Sequence, residues 1–237
     1  MKMPVIEHSE IESWEFESVW FSYEDGAPIF QKTDCVFPLD GVACVKAPAG
    51  SGKSTLLRVL GGLETVQRGA YKVNGHDFQS LSTKTRDAFR LSVGFGFARG
   101  GLLSNYTLLD NLMLPLDYHE VGSPSQRLSR ARSALEAFGI AEEAASLPAF
   151  VSSSARKACG LARALLLDPR ILLLDDPTAD LDAKTAKALS QRLQIHLKDR
   201  GLQQVLLASD DAGFLEGFSP QVLEIRDRGL VTRKRRA

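Results

Sequence analysis

From residue 12 the chain alternates large apolar and charged residues, "ESWEFESVWFSYEDG", up to a turn signal at Asp25-Gly26, and this period of two predicts a half-exposed antiparallel strand. "GVACVKA" at 41–47 predicts a short buried strand, "KSTLLRVLGGL" a helix, and "RGAYKVNG" a strand ending in an Asn-Gly turn. The pattern then changes over about residues 100–160. Ser123-Pro124 signals a helix start, and Leu128, Ala131, Leu135 and Phe138 recur at three- and four-residue steps until Gly139 ends the helix, which predicts a helical insertion. Beyond it come a helix through "ARKACGLARALLL", a fully apolar strand "RILLLDD", a helix from about Ala183 to Arg200 and the strand "QVLLAS". No internal repeat interrupts the order. Helices alternating with apolar strands predict one α/β domain over 1–237: a mainly parallel sheet flanked by helices, with an antiparallel β edge and a helical subdomain.

Composition adds limits rather than chemistry. A chain of 237 residues, 44% hydrophobic, is long enough to bury a full core. Lys+Arg and Asp+Glu number 29 each, so no net field points to nucleic acid, and none is expected as a partner. The terminal Arg233, Lys234, Arg235 and Arg236 fit either lipid headgroups or a solvated end. Cys35, Cys44 and Cys159 match no metal-ligand spacing and are expected to be reduced, and the four histidines are scattered along the chain. The opening "MKMPVIEHSEIESW" lacks an apolar stretch of signal-peptide length, and nowhere do about 18 apolar residues run together. A cytosolic protein is expected, reaching a membrane only through a partner.

The chemistry begins at "APAGSGKST", Ala47 to Thr55, which follows a strand and opens a helix as a phosphate-binding loop must. Pro48, Ala49, Gly50, Ser51, Gly52, Lys53, Ser54 and Thr55 are the expected nucleotide-binding residues. Gly50 and Gly52 let backbone N–H groups close around phosphate oxygens at the positive end of the helix. Lys53 is placed to reach the β and γ phosphates, and the Ser54 hydroxyl to meet Mg²⁺. The full pattern has glycine where Ala47 stands; a left-handed backbone there would cost on the order of 1 kcal/mol and reduce affinity. "ILLLDDP" complements the loop, because Asp175 at the end of an apolar strand can bring a carboxylate to the Mg²⁺ shell. The fold expected is that of a P-loop NTPase, with ATP and Mg²⁺ as cofactors.

With these residues in this order, nearly the whole chain resembles the nucleotide-binding domain of ABC transporters. "FSYEDG" is similar to the aromatic loop, which implies that Tyr23 stacks on adenine. "DPTADLD" is similar to the D-loop, and "GLARALLLDPRILLLDD" to the signature helix running into the metal-side strand. The resemblance implies a head-to-tail dimer, with a second copy or a relative as partner, in which each nucleotide lies between one subunit's phosphate loop and the other's signature. It also implies an integral-membrane permease, and so a peripheral place on the cytoplasmic face of the inner membrane. "GGLLSNYTLLDNLMLPLDYH" most resembles the ATPases that serve Mce-type bacterial lipid transporters, with Leu112 to Leu116 near the groove that receives the permease; core packing explains the same leucines.

Four motifs beyond the phosphate loop depart from the family pattern. Ala98 stands at the Q-loop glutamine, where a methyl group can neither coordinate a metal nor report nucleotide state; its neighbour Arg99 fits a phosphate contact or a solvated position. "VSSSA" aligns with the signature; Ser152 fits, but Ser153 and Ser154 replace two glycines whose bare backbone permits close approach to the γ phosphate. Asp176 stands at the catalytic glutamate, one methylene shorter, and is a weak candidate base. Asp210 stands at the switch histidine, exchanging a hydrogen-bond donor for a repelling charge. These departures imply an ATP-binding subunit that couples nucleotide binding to a permease, for lipid transport, with impaired hydrolysis. An active ATPase using Asp176 as base and a structural subunit that no longer binds nucleotide are the alternatives.

Overall fold

The computed structural model describes residues 10–24 and 26–233, so Lys234, Arg235 and Arg236 lie outside the described residues. Its first strand shows how packing overrides a simple period. In β1 (Trp14–Phe21) the buried residues are Trp14, Phe16, Val19 and Phe21, a phase change of one residue between Phe16 and Val19. Ser18 takes a left-handed φ of 49° there, and the pairing shifts against both neighbouring strands, so a β-bulge returns the apolar set to one face. Gly69 across the ladder makes room, since a Cβ on it would lie 2.2 Å from the Ser18 carbonyl oxygen. Strand β1 sits between β2 (Phe30–Val36) and β4 (Arg68–Val73), and the Asn74-Gly75 turn leads from β4 to β5 (His76–Asp77), giving an antiparallel sheet of order β2-β1-β4-β5.

The second sheet contains β3 (Gly41–Lys46), β6 (Val93–Gly96), β7 (Ile171–Asp175), β8 (Gln204–Ala208), β9 (Gln221–Arg226) and β10 (Gly229–Arg233) in the order β10-β9-β3-β8-β7-β6. All pairs are parallel except β9 with β10. Every residue of β7 and β8 is buried because helices or the other sheet cover both faces. Ile171 and Leu173 of β7 join the core shared with α1 (Lys53–Leu60) and the antiparallel sheet. Leu172 and Leu174 join the opposite core, beneath α3 (Leu108–Tyr118), α4 (Pro124–Ala137), α5 (Ser153–Leu165) and α6 (Ala183–Asp199). The remaining α-helices among the described residues are α2 (Thr83–Ser92) and α7 (Ala212–Glu216). Among the described residues no helix is long and apolar enough to cross a membrane.

Two details depart from the pattern-based reading. Leu128 was expected on the inner face of α4 but is 36% exposed, while Arg130 is buried. The guanidinium is satisfied there: Nε donates to the Leu166 carbonyl at 2.6 Å and Nη2 to Asp168 at 2.7 Å. Helix α5 begins before Ala155, because the Ser152 hydroxyl accepts the Ala155 N–H at 3.0 Å and caps it.

Parallel pairing sets the strand ends level. Val45 of β3 and Asp175 of β7 are both in register with Ala208 of β8, so the segments that follow all three strands emerge at one edge, the carboxyl edge where open α/β sheets hold ligands.

Candidate functional site

Helix α1 opens at this edge without a side-chain cap: Gly52 is its N-cap, with φ 96°. The N–H groups of its first turn are therefore free of a capping side chain, the condition under which a helix start can take an anion. Glycine is required at 52 for space as well as conformation, since a Cβ would lie 2.3 Å from Ile29 Cγ2. Gly50 has φ 77°, and the Ser51 N–H turns back to the Pro48 carbonyl at 3.2 Å, closing the loop past Ala49. Ala47 is not among the residues with positive φ, so the strain anticipated for alanine there does not arise. Its carbonyl accepts from Lys53 Nζ at 2.9 Å.

Ser54 Oγ donates to Asp175 Oδ1 at 2.9 Å, bringing together two residues 121 apart in sequence. Burial raises the Asp175 pKa, opposed by the Ser54 hydrogen bond and reinforced by the neighbouring Asp176 charge. A hydroxyl and a buried carboxylate side by side are hard oxygen donors of the type that Mg²⁺ takes, so the residues present fit that ion. Thr55 is buried, and its hydroxyl lies 3.3 Å from the Tyr23 hydroxyl. Tyr23 is 40% exposed and packs edge-on against Phe21. Tyr23 thus reaches the loop but does not line the cleft of about 690 Å³ bounded by Pro28, Ile29, Gly50, Ser51 and the β9–β10 turn.

The two remaining acids lie at the same edge. Asp176 is exposed, its backbone is left-handed at φ 47°, and its N–H donates to the Ala208 carbonyl at 2.9 Å. Asp210, just past β8, accepts from Lys53 Nζ at 3.0 Å. That hydrogen bond is the main reason its carboxyl is held below the usual carboxylate range.

Lys157 was missed in the sequence. It is 2% exposed, and its ammonium donates to four carbonyls: Phe97 at 3.2 Å, Ala98 at 2.7 Å, Asp175 at 3.1 Å and Asp176 at 2.8 Å. Helix α5 is thereby tied to the loop after β6 and to the end of β7. A lysine four residues before Leu161, on the apolar stripe of α5, was the signal available. Ala98 contributes its carbonyl to this junction, while its methyl side chain offers no donor; Arg99 is exposed. The loop closes on α5 through two glycines, as a Cβ on Gly160 would lie 2.3 Å from the Gly100 carbonyl oxygen.

The "VSSSA" segment is not a loose loop. Ser152 caps α5, Ser153 is exposed in its first turn, and Ser154 Oγ donates to Asp182 Oδ2 at 2.9 Å, where Asp182 itself caps α6. Leu112 and Leu116 are fully buried, whereas Leu114 and Pro115 line a groove of about 450 Å³ with Phe95, Phe97, Tyr118 and Arg163. The run from Leu112 to Leu116 is therefore divided: one helical face packs the core and the other meets the groove.

Residues 44–179 match the family described as ABC transporter. The chain is 37% identical over 153 residues to the lipoprotein-releasing system ATP-binding protein LolD 1 of Rhodopirellula baltica, covering 64% of this chain and 66% of that protein. It is 34% identical over 183 residues to the methionine import ATP-binding protein MetN of Rhizobium etli, covering 77% of this chain and 50% of that one. The chain thus spans about two thirds of the first relative's length and half of the second's. In fold it is similar to the ATP-binding cassette MJ0796 in a dimeric post-hydrolysis state bound to ADP and Pi, with a TM-score of 0.84 at 24% identity over 94% of this chain and 99% of that one.

Proposed function

This chain belongs to the ATP-binding domains of ABC transporters, and from that premise we propose that it holds Mg·ATP, docks on an integral-membrane permease and hydrolyses its nucleotide slowly. The observation that carries the nucleotide reading is the convergence of Lys53 and the Ser54–Asp175 pair beside the uncapped start of α1. In it the first-turn N–H groups bind phosphate oxygens, Lys53 neutralises phosphate charge, and Tyr23 offers a ring to the base. Mg²⁺, when bound through Ser54 and Asp175, supplies charge neutralisation on the phosphates.

Slow hydrolysis follows from the other residues. Asp176 is a short carboxylate to orient an attacking water, Asp210 carries negative charge where phosphate charge concentrates, and Ala98 offers no amide. In a dimer with a second copy or a relative, this chain's signature would also grip the opposite nucleotide weakly. The Ser152 and Ser154 hydroxyls are engaged with Ala155 and Asp182, and side chains stand where bare glycine backbone permits close approach. The groove walled by Phe95, Phe97, Leu114 and Tyr118 suits an amphipathic permease segment, which holds the chain at the cytoplasmic face of the membrane. A lipid or lipid-anchored cargo is the reading favoured by the likeness of residues 100–119 to Mce-associated ATPases and by the lipoprotein-releasing relative.

Calorimetry with a non-hydrolysable ATP analogue and Mg²⁺ tests the binding step: wild type binds and Lys53→Ala does not. Equal absence of binding at millimolar nucleotide would make the chain a structural subunit. Phosphate release tests the chemistry, with little from the wild type and more from the triple variant Ala98→Gln, Asp176→Glu, Asp210→His. Wild-type turnover near the ~10 s⁻¹ typical of enzymes would refute slow hydrolysis.

A further inference from the structure

The cation that the phosphate loop presents is already bonded to an acid of the same chain. Asp210 Oδ2 lies 3.0 Å from Lys53 Nζ, and Oδ1 lies 3.8 Å from Lys46 Nζ. The backbone on both sides of this acid is pinned. Before it, the Ser209 carbonyl accepts from Lys46 Nζ at 2.6 Å; after it, Asp211 caps α7 by accepting the Phe214 N–H at 3.0 Å. Register does the rest, because Val45 pairs with Ala208 and so the segment past β8 runs beside the segment past β3. Asp210 has a short side chain with two torsions, so a rotamer change leaves its charge near Lys53.

A polyphosphate on this loop places its inner phosphates against the backbone N–H groups and extends the outer ones along Lys53. Those N–H groups stay available whatever Asp210 does. The outermost phosphate has no such provision: it must share Lys53 with a carboxylate and accept that negative charge as a neighbour. The penalty falls on the third phosphate, whereas a diphosphate keeps its phosphates against the backbone N–H groups.

We infer that Asp210 sets the nucleotide preference of this site, which holds a nucleoside diphosphate more tightly than the corresponding triphosphate. The inference rests on the nucleotide-binding reading above and says which nucleotide the isolated chain retains. Triphosphate loading then depends on another surface contributing donors to the third phosphate.

Calorimetric titration of the wild type and of Asp210→Asn with Mg·ADP and with a non-hydrolysable Mg·ATP analogue separates the possibilities. Asparagine keeps the shape and removes the charge, and at a side chain 72% exposed it leaves folding intact. The wild type is expected to bind diphosphate roughly tenfold more tightly, the scale of one like-charge contact in a partly screened site. In Asp210→Asn the triphosphate affinity rises to close that gap while the diphosphate affinity changes by less than about twofold. Equal wild-type affinities, or an equal gain for both nucleotides in Asp210→Asn, would overturn the inference and leave nucleotide binding standing. Absence of binding of either nucleotide to both proteins would instead overturn the nucleotide reading, and this inference with it.

Discussion

Replacing Lys157 by methionine keeps the length and apolar stem of the side chain and removes its ammonium. In the native protein that group donates to Ala98 and Asp176 at 2.7 and 2.8 Å, and to Asp175 and Phe97 at 3.1 and 3.2 Å. Hydrogen bonds to a charged group contribute about 1.5–3 kcal/mol each. An ammonium has three hydrogens for four acceptors, so the longer pair shares one and the gross stabilisation is about 5 kcal/mol. Against this stands the cost of burying the charge; burial is also what lowers the Lys157 pKa, and methionine does not incur it. A net loss of about 3 kcal/mol remains, and in a chain of this size it lowers the melting temperature by about 6–12 °C. Urea unfolding followed by fluorescence reads it as a lower midpoint at constant slope. Lys157→Gln, which restores two donors, falls between methionine and wild type. At a temperature where Lys157→Met remains folded, its Mg²⁺-dependent ATP binding is weaker, because Ala98 and Asp175 are no longer tied to one helix. A loss below about 1 kcal/mol, or a gain, would mean that desolvation outweighs the four bonds and that the junction holds without its cation.

Tyr23→Ala is expected to weaken ATP binding by roughly 1–3 kcal/mol in a fluorescence titration while Tyr23→Phe retains most of it; equal affinities would reduce Tyr23 to its contact with Thr55. Gly160→Ala forces a Cβ to 2.3 Å from the Gly100 carbonyl oxygen, backbone that cannot swing aside, and is expected to cost about 2–4 kcal/mol by thermal melting. Gly50→Ala meets nothing within 4 Å and so incurs only the left-handed backbone penalty, about 1–2 kcal/mol; a reversed ranking would refute the steric argument. His196, buried beside Asp168, Arg130 and Arg200, has its pKa lowered from 6.5 to about 4, chiefly by burial. The unfolded chain binds that proton first, so stability is lost as pH falls from about 6.5 towards 4. His196→Leu should show a shallower decline over that window in urea midpoints, and an identical slope would exclude His196 as its source.

The glycine-rich turn between β3 and α1 was legible because strand, turn and helix are contiguous there, and backbone conformation is a local property. The apolar strands β7 and β8 were legible for a similar reason, since burial on both faces leaves an unbroken hydrophobic run. Strands β2, β6, β9 and β10 and helix α2 left no comparable trace; α2 buries only Phe89 and Ser92, so its apolar stripe is too thin to read. The candidate acids Asp175, Asp176 and Asp210 could be named from their strand ends. Only the fold decided that Ser54 bonds the first and Lys53 the third, across 121 and 157 residues. The same holds for the bulge that re-phases β1, the division of Leu112 and Leu114 between core and groove, and the buried Lys157 whose acceptors come from two other segments. A periodic pattern fixes which face a residue occupies on its own element. Which partner meets that face depends on strand order and register, and those are set by the mutual packing of segments far apart in the chain.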